Sequence, residues 1–382
     1  MPKIIITGYP YSFPYYFKVF EYVKNKDDFV FVLPSLWQAK EGKIKIKLAK
    51  RPDFKIYGLK TVSWGGKSLF AALFKGWMPG LLLLLPYFRI KFHSRVLYSC
   101  SEPNLLTTLY NGFLAKVFGF KHVIFTWQNV EPEARMTGIK LALSNFLVRL
   151  NLVLTDGVIC GNKKAEEIIN KLKPKDSKLK TIVCPLSGVD VDRFHPGTAK
   201  DKTILFYGVL EERKGVEFLI QAFSKISVED ATLMIIGTGP EKEKLENLVG
   251  ELGIKTRVSF RDWMPNEALP EILRNSAVFV YPSIPWGGWE EQFGYAMAEA
   301  GASGVPVVAT KTGSINEVVK NGETGILVDS GHVEQLRNAL EKLLADEPLR
   351  EKMGLAGRDF VVNNFSHLVV ADKIFHFLNQ FI

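Results

Sequence analysis

The chain has 382 residues, 47% of them hydrophobic and 23% charged, with a formal charge of +9. That length accommodates two domains that each bury a core, and the composition excludes a disordered or fibrous chain. The basic balance favours anionic partners (nucleotide phosphates, lipid headgroups or nucleic acid) without choosing among them, and three widely spaced cysteines with no Cys-x-x-Cys pair argue against a disulfide framework or zinc site.

From the N-terminus, Met1–Phe13 shows no secretory pattern: the apolar run Ile4–Ile6 ends at once in Gly8, Pro10 and Pro14. A cytoplasmic protein is the expectation. The first strand, Lys3–Gly8, runs into an aromatic loop, Gly8-Tyr9-Pro10-Tyr11-Ser12-Phe13, which suits either stacking on a ligand or packing on the core. A second strand, Phe29–Pro34, follows. Next comes a basic stretch with few acids: Lys40, Lys43, Lys45, Lys47, Lys50, Arg51, Lys55 and Lys60. It leads into the very apolar segment Leu69–Phe88, which holds Trp77 and Tyr87. Its uninterrupted core, Leu81–Leu85, falls far below the roughly 20 residues of a spanning helix. Residues 40–88 therefore suggest peripheral contact with an anionic membrane, or else a solvated strand and a packed helix.

Further apolar runs come at Arg95–Cys100, His122–Trp127, Gly157–Gly161 and Thr181–Pro185. The pattern pauses over Leu186–Lys200, which is rich in Gly, Pro and polar residues. It resumes at Thr203–Gly208, Ala231–Gly237, Arg257–Phe260, Ala277–Ser283, Val305–Thr310 and Gly325–Asp329. Continuous apolar runs of this length suit strands buried on both faces, and helical periodicity between them implies βα units on parallel sheets. The reading is α/β: two doubly wound Rossmann-like domains, 1–190 and 191–364, with a final helix at 365–382 packing back on the first. Ligands in such sheets bind at the carboxyl ends of the strands, so facing domains would share a cleft.

The strongest chemical signal is Trp289–Ala300, which follows a strand. If a helix starts near Phe293, Glu291 precedes it and Glu299 lies on its second turn. The N–H groups of Gln292, Phe293 and Gly294 would face an oxygen-rich ligand, and the carboxylates would accept hydroxyl hydrogen bonds. By spacing alone, two surface glutamates on an amphipathic helix fit equally well.

Glu291…Glu299 followed by Gly304-Val305-Pro306-Val307-Val308-Ala309 resembles the Glu-x7-Glu signature of retaining GT-B glycosyltransferases of the large fourth family. Four further segments resemble that family in the same order: Ser187–Asp190 with Arg193–Pro196, Tyr207–Gly215, Ile236–Pro240 and Asn321–Val328. The likeness covers about residues 183 to 365, and the N-terminal half only by strand order. It implies transfer of a hexose or N-acetylhexosamine from a UDP- or GDP-linked sugar to a glycan or lipid-linked acceptor. Glu299 would hold the ribose, Glu291 the donor sugar, and Lys214 the diphosphate leaving group, where electrostatic stabilisation is often the largest catalytic contribution. Gly208, Thr238 and Gly239 would allow close backbone approach, or serve as ordinary turn residues. Arg261 and Trp263 would lie near the base. The loop opening at Gly8 would lie near the diphosphate and acceptor. Asn129, with Gln128, stands where many relatives carry a histidine that contacts the sugar, and Glu102 is another strand-end candidate.

One departure is Val209, where the family has an arginine; Arg213 is the nearest replacement. Asp190-Val191-Asp192 spells a metal motif of another fold, but it sits in the linker, where Asp190 suits a turn. No metal, no cofactor and no nucleic-acid partner is expected. The rivals are a non-catalytic nucleotide-sugar-binding subunit and a phosphorylase or epimerase of the same fold. A nicotinamide enzyme fits poorly, because Gly237-Thr238-Gly239-Pro240-Glu241-Lys242 lacks the third glycine of its fingerprint.

Overall fold

A computed structural model describes residues 3–39, 42–46, 48, 51–62, 72–197, 201–265 and 267–382. The chain forms two compact units, Met1–Gly188 with His367–Ile382, and Val189–Ser366. The sequence placed the junction at 190/191, two residues later.

The first unit is built on an eight-stranded sheet. Its strands are β1 (Ile4–Thr7), β2 (Phe29–Ala39), β3 (Gly42–Lys45), β4 (Lys55–Lys60), β5 (Val96–Ser99), β6 (Lys121–Thr126), β7 (Gly157–Cys160) and β8 (Lys180–Val183). The order is β3-β2-β1-β5-β6-β7-β8, with β4 also on β2. Only β3 runs antiparallel to its neighbour. β1, β5 and β7 are buried throughout, as their unbroken apolar runs require. β4 was not read from the sequence: its burial alternates, and it pairs in parallel with β2.

Helices α1 (Pro14–Phe17), α2 (Leu81–Phe92), α3 (Leu106–Val117), α4 (Gly138–Val153) and α5 (Lys163–Leu172) complete the first pass through this unit. Asn162 caps α5 by accepting from the Ala165 N–H at 2.8 Å, satisfying one orphan donor of the first turn. One face of the sheet packs on α2 and α3 through Ile5, Leu97, Leu81, Leu85 and Leu114. The other face carries Ile4, Ile6, Tyr98 and Phe125 together with Val370, Ile374 and Phe377 of the C-terminal helix.

The second unit has a six-stranded, all-parallel sheet. Its strands are β9 (Asp201–Tyr207), β10 (Thr232–Ile236), β11 (Val258–Arg261), β12 (Ser276–Tyr281), β13 (Val307–Thr310) and β14 (Gly325–Val328). The order β11-β10-β9-β12-β13-β14 is the doubly wound Rossmann order 3-2-1-4-5-6, with its reversal between β9 and β12. Helices α6 (Val216–Ser224), α7 (Lys242–Glu251), α8 (Leu269–Asn275), α9 (Tyr295–Ala302), α10 (Ile315–Val318), α11 (Val333–Ala345) and α12 (Glu347–Phe365) belong to this unit, and α13 (His367–Asn379) returns to the first.

Two arginines fasten the second unit internally. Buried Arg350 donates to the carbonyls of Leu343 and Leu344, closing the exposed end of α11. Arg358 donates to the carbonyls of Val191, Phe194 and Ala302, tying the segment after the junction to the end of α9.

Candidate functional site

In doubly wound sheets the reversal of strand order opens a crevice at the carboxyl ends of the two central strands. In the second unit those strands are β9 and β12, and both end in tyrosine: Tyr207 and Tyr281. Each ring packs against Phe279 in the sheet while its hydroxyl faces a carboxylate.

Lys214 stands in the loop after β9 and is buried. The loop is pinned there by the Ile284 N–H, which donates to the Arg213 carbonyl at 2.9 Å. Gly215 follows with φ 64°, and a Cβ on it would lie 2.1 Å from the Pro282 carbonyl oxygen, so only glycine fits. The Lys214 ammonium donates to the Tyr281 hydroxyl at 2.6 Å and to Glu291 Oε2 at 2.7 Å. Tyr281 in turn donates to Glu291 Oε2 at 2.8 Å, closing a triangle. The ammonium also lies over the rings of Tyr281 and Trp289, 4.7 and 5.2 Å from their centroids. Burial pulls the Lys214 pKa below the ordinary lysine value, and Glu291 opposes that pull. Burial, then the Glu291 charge, pushes the Tyr281 phenol well above its ordinary value.

Glu291 sits in a loop, and its backbone carbonyl accepts the Ser314 N–H at 2.9 Å from the turn after β13. The helix begins at Tyr295, two residues after Phe293, and Gly294 caps it at φ 78°. The Gln292 N–H is taken by the adjacent Glu291 Oε1 at 3.3 Å rather than left for a ligand. Phe293 turns inward against Tyr295 and Phe365. Glu299 lies on the second turn, buried, and accepts from the Tyr207 hydroxyl at 2.5 Å. Burial and the Glu299 charge raise the Tyr207 pKa well above its ordinary value.

The glycine loops have a structural use of their own. A Cβ on Gly239 would lie 2.3 Å from the Leu210 carbonyl oxygen, and the Leu210 N–H donates to the Thr238 carbonyl at 2.9 Å. The close approach at Gly239 is therefore between the loops after β9 and β10. A Cβ on Gly208 would meet the Phe206 ring, at 3.3 Å. Arg213 pairs with Glu211 at 2.6 Å and lies over the Trp289 ring at 4.1 Å. Val209 is exposed. Arg261 and Trp263 stand at the exposed end of the edge strand β11, two strands from β9 in the sheet order. Sequence reasoning assigned no role to Tyr207, Tyr281, Trp289 or Ser314. The signal available was a tyrosine ending each of two otherwise apolar strands.

The first unit has a cavity of about 170 Å³ at its own reversal point. Thr7 at the end of β1 with Gly8 and Tyr9 after it, Cys100 and Glu102 after β5, and Trp127 after β6 line it. Glu102 accepts from the Thr126 hydroxyl at 2.6 Å and from the Trp127 N–H at 2.9 Å, yet burial still raises its pKa. Thr7 and Thr107 line the same cavity, and their buried hydroxyls have no hydrogen-bond partner among the described residues. Tyr11 of the aromatic loop is a core residue, with its hydroxyl 3.0 Å from that of Tyr98, whereas Tyr9 and Pro10 face the cavity. Asn129 is buried but does not line it.

Asp190 makes a turn, accepting the Arg193 N–H at 3.3 Å through its side chain. Among the described residues no group of three or more His, Cys, Asp or Glu is placed to hold a metal ion. Of the basic stretch, Lys40, Lys47 and Lys50 lie outside the described residues, as does 63–71 of the apolar segment. Arg51 pairs with Glu21 and lies over the Phe17 ring, while Lys55 lies over Phe92. Among the described residues, no helix is long and apolar enough to cross a membrane.

Residues 190–360 match the family model of Glycosyl transferases group 1. Over these residues the second unit is similar to group 1 glycosyl transferases. The chain is 34% identical over 194 residues to a GDP-mannose-dependent alpha-(1-6)-phosphatidylinositol monomannoside mannosyltransferase of Mycolicibacterium smegmatis, covering 47% of this chain and 51% of that one. It is 32% identical over 231 residues to a D-inositol 3-phosphate glycosyltransferase of Corynebacterium diphtheriae, covering 55% and 53%. The chain thus spans about half the length of these relatives. In fold it is similar to sucrose-phosphate synthase of Thermosynechococcus elongatus, with a TM-score of 0.76 and 19% identity over 100% of this chain and 99% of that one. It is likewise similar to Anabaena HepE in complex with UDP, with a TM-score of 0.75 and 16% identity over 100% of both. The GT-B fold class, with two Rossmann-like sheets, is the one expected from the sequence. The Lys214 triangle and the Tyr207–Glu299 pair both fall within the matched residues.

Proposed function

We propose that the chain is a retaining glycosyltransferase that moves a hexose or N-acetylhexosamine from a UDP- or GDP-linked donor to a glycan or lipid-linked acceptor. The proposal places it in the cytoplasm or on the inner face of a membrane, and it assigns no role to nucleic acid. The observation that carries it is the buried Lys214–Tyr281–Glu291 triangle beside Tyr207–Glu299, at the reversal point of a unit similar to group 1 glycosyl transferases.

The chemistry follows from these groups. Two of the three Lys214 donors are used within the triangle, which leaves one for a phosphate oxygen. As the glycosidic bond breaks, negative charge grows on the diphosphate, and a fixed ammonium in a buried site lowers the barrier. The proposal gives this charge to Lys214 and Arg213 rather than to a metal ion or cofactor. Glu299 would take the ribose hydroxyls, and Glu291 would share its oxygens between Lys214 and a sugar hydroxyl. In the first unit, Gly8 would lie near the diphosphate and Asn129 near the donor sugar, with Glu102 as a further strand-end candidate. Both bases remain because one relative is named GDP-mannose-dependent, while HepE is seen with UDP.

The test is thermal stabilisation by UDP, GDP, ADP and their sugar conjugates, followed by product analysis. One nucleoside diphosphate is expected to stabilise by about 2.7 kcal/mol at a hundredfold excess over its Kd, and Glu299→Ala is expected to remove the effect. No response to any nucleotide would overturn the proposal. The second reading is a nucleotide-sugar-binding subunit without turnover. Val209 favours it, and binding with no transfer or hydrolysis would establish it.

A further inference from the structure

Helices α2, α3 and α4 of the first unit are neighbours, with α2 touching α3 and α3 touching α4. Their inner sides enter the cores through Leu81, Phe88, Leu114, Val148 and Leu152. Their outer sides are also apolar. Ile139 is 88% exposed, Ile90 77% and Leu83 74%, and Phe113, Phe146 and Val153 are each more than half exposed. On α2 the exposed residues Leu83, Tyr87 and Ile90 follow a helical stripe, as do Ile139, Leu143 and Phe146 on α4.

Charge is as one-sided as hydrophobicity. The three helices read LLLLLPYFRIKF, LTTLYNGFLAKV and GIKLALSNFLVRLNLV, without a single Asp or Glu. They carry Arg89, Lys91, Lys116, Lys140 and Arg149. The acids that touch the layer come from outside it: Asp156 pairs with Lys116, and Glu133 meets Asn145. The second unit supplies an internal contrast. Its helix α7 reads KEKLENLVGE, mixes both signs, and pairs Lys242 with Glu246 in the manner of a water-facing helix. Apolar tips spread over three adjacent helices exceed the scattered exposure that soluble surfaces tolerate.

We propose that the outer face of α2, α3 and α4 docks on an anionic lipid bilayer. The apolar tips enter the boundary between headgroups and acyl chains, and the cations meet lipid phosphates. An acid-free, cationic, apolar face complements that surface on both counts, as in helices that lie in the interface plane. The inference is independent of the glycosyl-transfer reading and moves the contact away from the lysine-rich stretch before residue 60.

The test is flotation of the full chain with phosphatidylcholine vesicles, with and without phosphatidylglycerol. Binding is expected only with the anionic lipid and should weaken as salt rises. The double variant Ile139→Ser/Phe146→Ser should bind at least about tenfold more weakly. Lys140→Glu/Arg149→Glu should show a comparable loss, since each cation near the surface contributes about 1 kcal/mol. Both variants should keep the wild-type far-ultraviolet circular dichroism and thermal unfolding midpoint, which separates lost docking from lost folding. Wild-type protein that ignores anionic vesicles would overturn the proposal. So would either variant binding as well as wild type, or a dimer that forms without lipid and is broken by the same substitutions, which would assign the face to a second copy. Vesicle binding without any nucleotide response would leave this proposal standing and sink the glycosyltransferase one.

Discussion

The two sheets reverse strand order in the same way but finish their reversal points with opposite materials. In the second unit, Lys214, Glu291, Glu299, Tyr207 and Tyr281 are buried and hydrogen-bond one another. In the first, the cavity has apolar walls such as Met78, Leu105 and Trp127, with Glu102 fastened to its neighbours and Lys75 also on the lining. Burying an ammonium with a carboxylate costs desolvation that only good geometry recovers, so such a pair is a poor device for stability alone. Kept at a strand end, it suits a ligand that brings its own charge.

The sharpest way to break this comparison is to remove one group from each end. Lys214→Ala leaves Glu291 and Tyr281 buried without their cation, and should cost about 3 kcal/mol in stability. It should also abolish stabilisation by any nucleoside diphosphate. Glu102→Gln keeps an acceptor for the Trp127 N–H and turns an N–H donor toward the Thr126 hydroxyl, which can accept it; it should change stability by less than about 1 kcal/mol without affecting nucleotide binding. Urea unfolding and thermal shift on both variants check this. Equal effects would mean that the second site is no more committed to charge than the first.

How legible each region was follows from the same contrast. Charged residues carry their chemistry in their identity, so Lys214, Glu291 and Glu299 stood out, and the runs that became β10 and β12 to β14 were largely apolar, unlike β11, which reads VSFR. What escaped were the groups that hold them. A tyrosine ending a buried strand reads as one more core aromatic until its hydroxyl is seen on a carboxylate, as with Tyr207 and Tyr281. Gly239 read as a ligand-facing turn, yet it is emptied by the Leu210 carbonyl, a contact between two loops that no local pattern encodes. In the first unit the cavity draws on Thr7, Glu102, Thr107 and Leu186, spread along the chain and chemically ordinary. β4 was missed because its alternating burial leaves no unbroken apolar run.

A second prediction sharpens the comparison through pH. Behind the cavity, His122 is buried, with Nε2 3.1 Å from the Ser99 hydroxyl. Burial lowers its pKa from 6.5 to about 4. Between those values the unfolded chain takes up a proton that the folded imidazole refuses. The stabilisation is therefore complete above pH 6.5 and is lost as pH falls toward about 4, by about 3 kcal/mol in all. Asp156, which accepts the His122 N–H and pairs with Lys116 and Lys121, titrates below its ordinary 3.8 and so outside this window. His122→Gln should flatten the stability profile between pH 6.5 and 4, read by urea unfolding. An unchanged slope would place the acid sensitivity elsewhere, and the second unit's charged cluster would be the next candidate.

The smallest expected effect concerns Val209, where the sequence departs from the family pattern that it resembles. Val209 is exposed between Gly208 and Leu210, and the loop is held by backbone contacts, so a longer side chain there should not disturb the fold. Val209→Arg would add a fork of donors at the end of β9, a few residues from Lys214. Affinity for nucleoside diphosphates should rise about fivefold, close to 1 kcal/mol, because an exposed cation acts through screened water. The gain should shrink with added salt, while any response of Lys214→Ala to nucleotide stays absent. A gain would show that the site works below its electrostatic limit, with Arg213 too occupied by Glu211 and Trp289 to supply the second cation fully. No gain at low salt would mean that the loop after β9 turns Val209 away from the phosphates, and that its valine is a neutral feature of this chain rather than a lost charge.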